Sequence, residues 1–220
     1  MLKNATFSEQ KIIKIALVGQ PNVGKSMLIN SISNARLKVG NFSGVTVEKK
    51  QIEFKYKDYK FQVTDLPGSY SLNDYTLEEK VTKNYLEHED YDIILNVVDS
   101  TNLERNLFLT SELLALDKKM VIALNMSDEA KKEGIEIDIS LFAKIVGKPC
   151  VKTSAKEKSG IKTLVNTLIT KFETAKFESK LIFSDPIEEE IANVCKLLKE
   201  KNFKSDVAYR EIAIKLLQEE

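Results

Sequence analysis

Ile12-Ile13-Lys14-Ile15-Ala16-Leu17-Val18-Gly19-Gln20-Pro21-Asn22-Val23-Gly24-Lys25-Ser26-Met27-Leu28-Ile29-Asn30-Ser31-Ile32 joins a strand-like run to a helix-like run through a turn punctuated by glycine. Residues 12–18 are short, apolar and β-branched, as a buried parallel strand requires. Residues 27–32 carry apolar side chains at helical spacing. Between them, Gly19 to Ser26 matches G-x-x-x-x-G-K-[ST], in which glycine-permitted turns aim successive backbone N–H groups at a phosphate, at the positive end of the following helix. In this pattern Gly19, Gln20, Pro21, Asn22, Val23, Gly24, Lys25, Ser26 and Met27 surround the phosphates. Lys25 reaches the β- and γ-phosphates, and the Ser26 hydroxyl ligates Mg²⁺.

The chain of 220 residues is long enough for one α/β domain with a small appendage. Lys+Arg and Asp+Glu are both 33, so no global basic field draws the chain to nucleic acid or to a membrane surface. Cys150 and Cys195 are far apart and form no metal-spaced cluster, which fits a reducing compartment and ordinary thiols. No apolar run reaches the ~18 residues that span a bilayer. The final stretch, Ile212 to Glu220, stops inside a helical pattern with no Gly or Pro stop signal, so a longer parent polypeptide is expected.

Downstream, residues 36–46 contain Gly40 and Gly44, show no clean period, and read as a mobile loop. Val47–Tyr56 and Tyr59–Asp65 read as a β-hairpin that ends at Pro67-Gly68. Helical spacing marks Leu77–Glu87, Leu103–Leu116, Ile139–Val146 and Gly160–Phe172; strand-like runs cover Tyr91–Asp99, Lys119–Asn125 and Cys150–Thr153. Strands alternating with helices predict an α/β fold with a mostly parallel six-stranded sheet, and ligands beyond the carboxyl ends of its strands. Past about Lys176 the strand signals stop. Asp185-Pro186 followed by Glu188-Glu189-Glu190 predicts a helix N-cap, a proline at the first helical position and dipole-complementing acids for a helix to about Glu200, and another helix follows from Ser205. The expected division is residues 1–175 for the α/β domain and 176–220 for a truncated all-helical appendage.

Further motifs follow in fixed order. Asp65-x-x-Gly68 closes a strand at the sheet edge that carries the phosphate loop, so the carboxylate can serve Mg²⁺ and the Gly68 N–H can meet a γ-phosphate. Gly44, Val45 and Thr46 lie in the first loop, where the Thr46 hydroxyl could complete the Mg²⁺ shell only with the γ-phosphate present. Asn125-Met126-Ser127-Asp128 supplies a carboxylate that can accept both the N1–H and the 2-amino group of guanine; adenine offers no such donor pair. Met126 stands where Lys is more common. Thr153-Ser154-Ala155 would offer backbone N–H groups to guanine O6. The candidate catalytic set is Lys25, Asn22, Thr46 and Gly68, and the candidate Mg²⁺ ligands are Ser26, Thr46 and Asp65.

These motifs together resemble translation-factor-like P-loop GTPases. Val39 to Lys50, Asp65 to Leu72, Asn96 to Ser100 and Leu124 to Ala130 are similar to the cytosolic G domain of bacterial ferrous-iron transport protein B, over about residues 11–172. That family commonly has Trp and Pro where Phe42 and Ser43 stand. The resemblance implies GTP and GDP as ligands and Mg²⁺ as cofactor; slow GTP hydrolysis is expected because Ser69 and Tyr70 follow Gly68 where many regulatory GTPases place a water-orienting Gln. The resemblance also implies K⁺ held by Asn22 in place of an arginine finger, and a helical tail that slows nucleotide release. It further implies a place on the cytoplasmic side of the inner membrane, joined to a membrane permease portion of the same polypeptide whose ferrous-iron uptake the switch loops regulate. No nucleic-acid partner is expected and self-association stays open. A free-standing ribosome-assembly GTPase and a non-catalytic guanine-nucleotide switch are the alternatives.

Overall fold

The computed structural model describes residues 11–32, 36–42, 45–174, 183–201, 203 and 209–218. In chain order the elements are β1 (Lys11–Gly19), α1 (Lys25–Asn30), β2 (Arg36–Asn41), β3 (Glu48–Tyr56), β4 (Tyr59–Asp65), α2 (Leu77–His88), β5 (Ile93–Asp99), α3 (Leu103–Ala115), β6 (Met120–Asn125), α4 (Ser127–Lys132), α5 (Ile139–Val146), β7 (Cys150–Lys152), α6 (Ile161–Glu173), α7 (Asp185–Glu200) and α8 (Tyr209–Gln218).

One seven-stranded sheet runs in the order β2-β3-β4-β1-β5-β6-β7. The pairs β4–β1, β1–β5, β5–β6 and β6–β7 are parallel; β3–β4 and β2–β3 are antiparallel. The sheet therefore has seven strands where the sequence predicts six. The added strand is β2, from the segment read as a loop. Its backbone pairs with β3 from Arg36↔Glu53 to Asn41↔Glu48, and its described side chains at Lys38, Val39 and Asn41 are exposed. An edge strand held by backbone hydrogen bonds on one side needs no apolar alternation, which is why it left no period in the sequence.

The central strands bury both faces. On β1, Ile13, Ile15 and Leu17 point to one side, where Leu28 and Ile29 of α1 and Leu164 and Leu168 of α6 cover them. Ala16 and Val18 point to the other, under Val81 and Tyr85 of α2, Leu109 and Leu113 of α3, and Phe142 and Val146 of α5. The period-2 direction of side chains along a strand and its two-sided covering give the near-continuous apolar run of residues 12–18. Because β1 lies between β4 on one side and β5 on the other, the loops after these strands part beside the carboxyl end of β1, where ligands bind in open α/β sheets.

Two carboxyl-terminal helices form, the first shifted by one residue at its start; the predicted start of the second, Ser205, lies outside the described residues. Asp185 is the first helical residue and Ser184 takes the N-cap position, with Pro186 inside the first turn. Glu188 and Arg210 make a two-pronged pair between α7 and α8 at 2.6 and 2.8 Å. Among the described residues no helix is long and apolar enough to cross a membrane.

Candidate functional site

At the carboxyl end of β1 the chain turns through Asn22 and Gly24, both in the left-handed region at φ 67° and 85°. A Cβ on Gly24 would stand 2.6 Å from Asn125 Nδ2, so glycine is required there for space as well as for conformation. Lys25 donates from Nζ to the Gly19 carbonyl at 3.3 Å, folded back across the loop. Burial pushes its ammonium below the usual lysine range while the Asp65 charge opposes that shift. The Ser26 hydroxyl donates to Asp65 Oδ2 at 3.1 Å. Burial holds the Asp65 carboxyl above the usual range, against Lys25 and Ser26, and its Oδ1 is buried without a hydrogen-bond partner. A hydroxyl beside a partly orphaned carboxylate is a hard, all-oxygen donor set, and it fits Mg²⁺ completed by phosphate oxygens and water.

The loop after β4 packs directly on the phosphate loop. A Cβ on Gly68 would meet Pro21 Cα at 2.9 Å, and the Ser69 N–H donates to the Gly19 carbonyl at 3.3 Å. Ser69 itself is buried, with its hydroxyl 3.0 Å from Thr82 Oγ1 on α2. It turns away from the phosphate loop and cannot orient a water there. Thr76 caps α2 in a full capping box with Glu79. Glu79 also accepts from the Ser71 hydroxyl and the Tyr75 N–H, and Glu112 of α3 accepts from the Leu72 N–H. The Thr76-x-x-Glu79 spacing is readable as a cap; the grip of Glu79 on the whole loop is not.

Gln20 is expected from the sequence only to line the phosphates. Its side chain is buried and donates to the Arg105 carbonyl at 2.6 Å, fixing the loop to the first turn of α3, while the Arg105 guanidinium lies 4.5 Å over the Tyr70 ring.

Base-recognition residues gather at the ends of β6 and β7. Asn125 donates from Nδ2 to the Val23 carbonyl at 2.9 Å, and its Oδ1 accepts from Thr153 Oγ1 at 3.3 Å and the Ala155 N–H at 3.2 Å. The amide thereby clamps the phosphate loop to the β7 loop. Met126 is left-handed at φ 58° and caps α4. Asp128 is buried with Oδ2 lacking a hydrogen bond, and Lys132 Nζ lies 4.0 Å from it. The Ser154 hydroxyl, ahead of nearby charges, holds this carboxyl below the usual range. The backbone donors of the β7 loop differ from expectation. Thr153 N–H goes to the Leu124 carbonyl, Ser154 N–H to the Ser159 carbonyl and Ala155 N–H to Asn125, so none of the three is unpaired.

Thr46 is not brought to the metal set. It is exposed and makes no hydrogen bond to Ser26 or Asp65, while Val45 is half-buried; Gly44 lies outside the described residues. The other residues read from the sequence share one edge, formed by the loops after β1, β4, β6 and β7.

That edge has close counterparts. Residues 13–168 match the family profile described as ferrous iron transport protein B. The chain belongs to this family. All the motif residues, Gly19 to Ala155, lie inside the matched span. The Fe(2+) transporter FeoB of Campylobacter jejuni is 55% identical over 177 residues, which are 80% of this chain and 29% of that protein. This chain thus spans under a third of that relative's length. The cytosolic domain of the T. maritima FeoB iron transporter in a GDP form is 36% identical, with a TM-score of 0.85, over 96% of this chain and 82% of that one. The GMPPNP form of the same T. maritima domain is 37% identical, with a TM-score of 0.83, over 92% of this chain and 80% of that one.

Proposed function

We propose that this chain is a guanine-nucleotide-binding domain that hydrolyses GTP slowly and regulates ferrous-iron uptake by a membrane portion of a longer polypeptide, from the cytoplasmic side. The observation that carries the nucleotide reading is Asp128, a buried carboxylate kept ionised, with one unpaired oxygen, beside an asparagine that clamps the phosphate loop. A buried acceptor pair of this kind suits the N1–H and 2-amino donors of guanine and is left unpaired by adenine. The GDP and GMPPNP forms of the T. maritima relatives agree with it.

In this reading the phosphate-loop N–H groups and Lys25 hold the phosphates, whose charge offsets the burial that lowers the Lys25 ammonium. Ser26 and Asp65 would hold Mg²⁺, which would supply charge neutralisation for the β- and γ-phosphates. The Gly68 N–H faces the γ-phosphate, and Thr46 joins the metal shell when that phosphate is present. Asn22, exposed on the loop, offers its carbonyl to K⁺. The division into a nucleotide domain over 1–175 and a helical part over 176–220 belongs to the same proposal. Family membership speaks against the ribosome-assembly alternative. A switch with negligible catalysis is the second reading, favoured by Ser69, whose hydroxyl faces α2.

Exchanging the Asp128 donor-acceptor pattern tests the core of the proposal. The parent chain should bind GDP and not ADP. Asp128→Asn should lose GDP affinity by at least about a hundredfold and gain xanthosine diphosphate, whose C2 carbonyl can accept from the new amide. Equal binding of ADP and GDP by the parent would refute it.

A further inference from the structure

The start of the first loop is tied down by side chains. Phe42, the residue after β2, is only 8% exposed, and its ring meets the Tyr85 ring of α2 edge-on at 6.0 Å and 84°. Lys49 of β3 sets its ammonium 5.6 Å from both ring centroids. Tyr85 donates its hydroxyl to Thr64 Oγ1 at 3.0 Å, one residue before Asp65. One cluster therefore joins the residue that precedes the first loop, the strand that follows it, the helix of the second loop and the strand that delivers Asp65.

The backbone reinforces this arrangement. Phe42 N–H donates to the Val47 carbonyl at 3.0 Å, continuing the ladder that runs to Asn41↔Glu48. Lys50 pairs opposite Asp65. Thr46 stands four residues before Lys50, which is as much as ~13 Å along extended chain. Bringing the Thr46 hydroxyl to Ser26 and Asp65 requires this end of the hairpin to bend back; Val45 and Val47, on either side of Thr46, pack against the same cluster, and Phe42 is its buried ring on this side.

We propose that Phe42, Lys49 and Tyr85 are positioning residues for Thr46: their cluster holds Thr46 away from the metal ligands and parts when Thr46 is recruited, releasing α2 at the same moment. This rests on the guanine-nucleotide reading above. A nucleoside triphosphate that recruits Thr46 must break the cluster, whereas a diphosphate need not. By linkage, the cluster lowers triphosphate affinity relative to diphosphate affinity.

The chain contains no tryptophan, so Phe42→Trp places a single indole fluorophore at the cluster. With Mg²⁺, its emission should shift to the red and its acrylamide quenching should increase when GMPPNP replaces GDP. In Phe42→Ala, calorimetry should show the GMPPNP-to-GDP affinity ratio raised by about tenfold, with GDP affinity unchanged. Lys49→Met should raise the ratio part of the way, and Lys49→Arg should leave it at the parent value, because a guanidinium over the rings makes the same cation–π contact. Simple loss of stability would weaken both nucleotides together and leave the ratio where it was. That result, or identical indole emission from the Phe42→Trp variant with the two nucleotides, overturns the positioning role alone. A parent chain that binds neither nucleotide overturns the guanine-nucleotide reading, and this role falls with it.

Discussion

Asp128 is buried, yet its carboxyl is held below the usual carboxylate range. The Ser154 hydroxyl contributes most to holding its carboxyl low, with its own backbone N–H and Lys132 and Lys156 adding to the effect. The sign follows from linkage. A carboxyl lowered in the fold adds stability above its unfolded pKa, near 4, and loses that contribution as pH falls through the folded value. The same ionised form accepts the guanine donors, so recognition should persist into mild acid. Ser154→Ala should raise the Asp128 pKa and weaken GDP binding by about tenfold at neutral pH, one hydrogen bond to a charged group. Its binding curve should begin to fall at a higher pH than the parent's. Superimposable pH profiles for the two proteins would show that Ser154 does not hold Asp128. Asp65 is shifted the other way, by burial, and its Oδ1 has no hydrogen-bond partner; the proposed Mg²⁺ would supply one.

At the scale of elements, α2 is organised by its first turn. Glu79 answers the Thr76 cap, takes the Tyr75 N–H and the Ser71 hydroxyl, and so converts the loop after Gly68 into a structured lead-in. Removing it deletes half of the capping box and leaves the buried Ser71 hydroxyl without its acceptor. Glu79→Ala should lower unfolding free energy by about 2 kcal/mol, read as a drop of roughly 4–8 °C in thermal midpoint for a chain of this size. An unchanged midpoint would mean that water replaces the carboxylate fully. Elements such as these are largely legible in the sequence: β3 and β4 form the predicted hairpin, and α3, α5 and α6 fall within a residue or two of their periodic segments. The helix α4 is not, because Ser127–Lys132 is a single short polar helix with only Asp128 and Ala130 buried.

Across the whole molecule, chemistry on the γ-phosphate depends on which charges the fold can deliver. The arginines are Arg36, Arg105 and Arg210. Arg105 is stacked on Tyr70 and Arg210 is paired with Glu188. Neither of these is directed at the phosphate loop. Lys50, paired opposite Asp65, sets a second positive charge near Lys25, and the proposed K⁺ at the exposed Asn22 amide would add another. Single-turnover GTP hydrolysis should be about tenfold or more faster in K⁺ than in matched Na⁺, and Asn22→Ala should abolish the difference. Rates equal and very slow in both salts, with tight GTP binding, would leave a switch that waits for a partner's catalytic group.

Local chemistry made the phosphate loop, the Asp65-x-x-Gly68 and Asn125-to-Asp128 motifs and the alternation of strands and helices legible from the sequence alone. A left-handed turn needs Gly24, a buried strand needs an apolar run, and guanine needs a carboxylate. Tertiary structure alone decided the seventh strand, the direction of Ser69, the tie from Gln20 to α3, the engagement of the Ala155 N–H with Asn125, and the Phe42–Lys49–Tyr85 cluster. Each of these joins residues distant along the chain, or depends on which way one side chain turns once its neighbours are packed. Such pairings leave no period and no motif in the sequence, because the partner that satisfies a polar group or covers a ring exists only after the chain has folded.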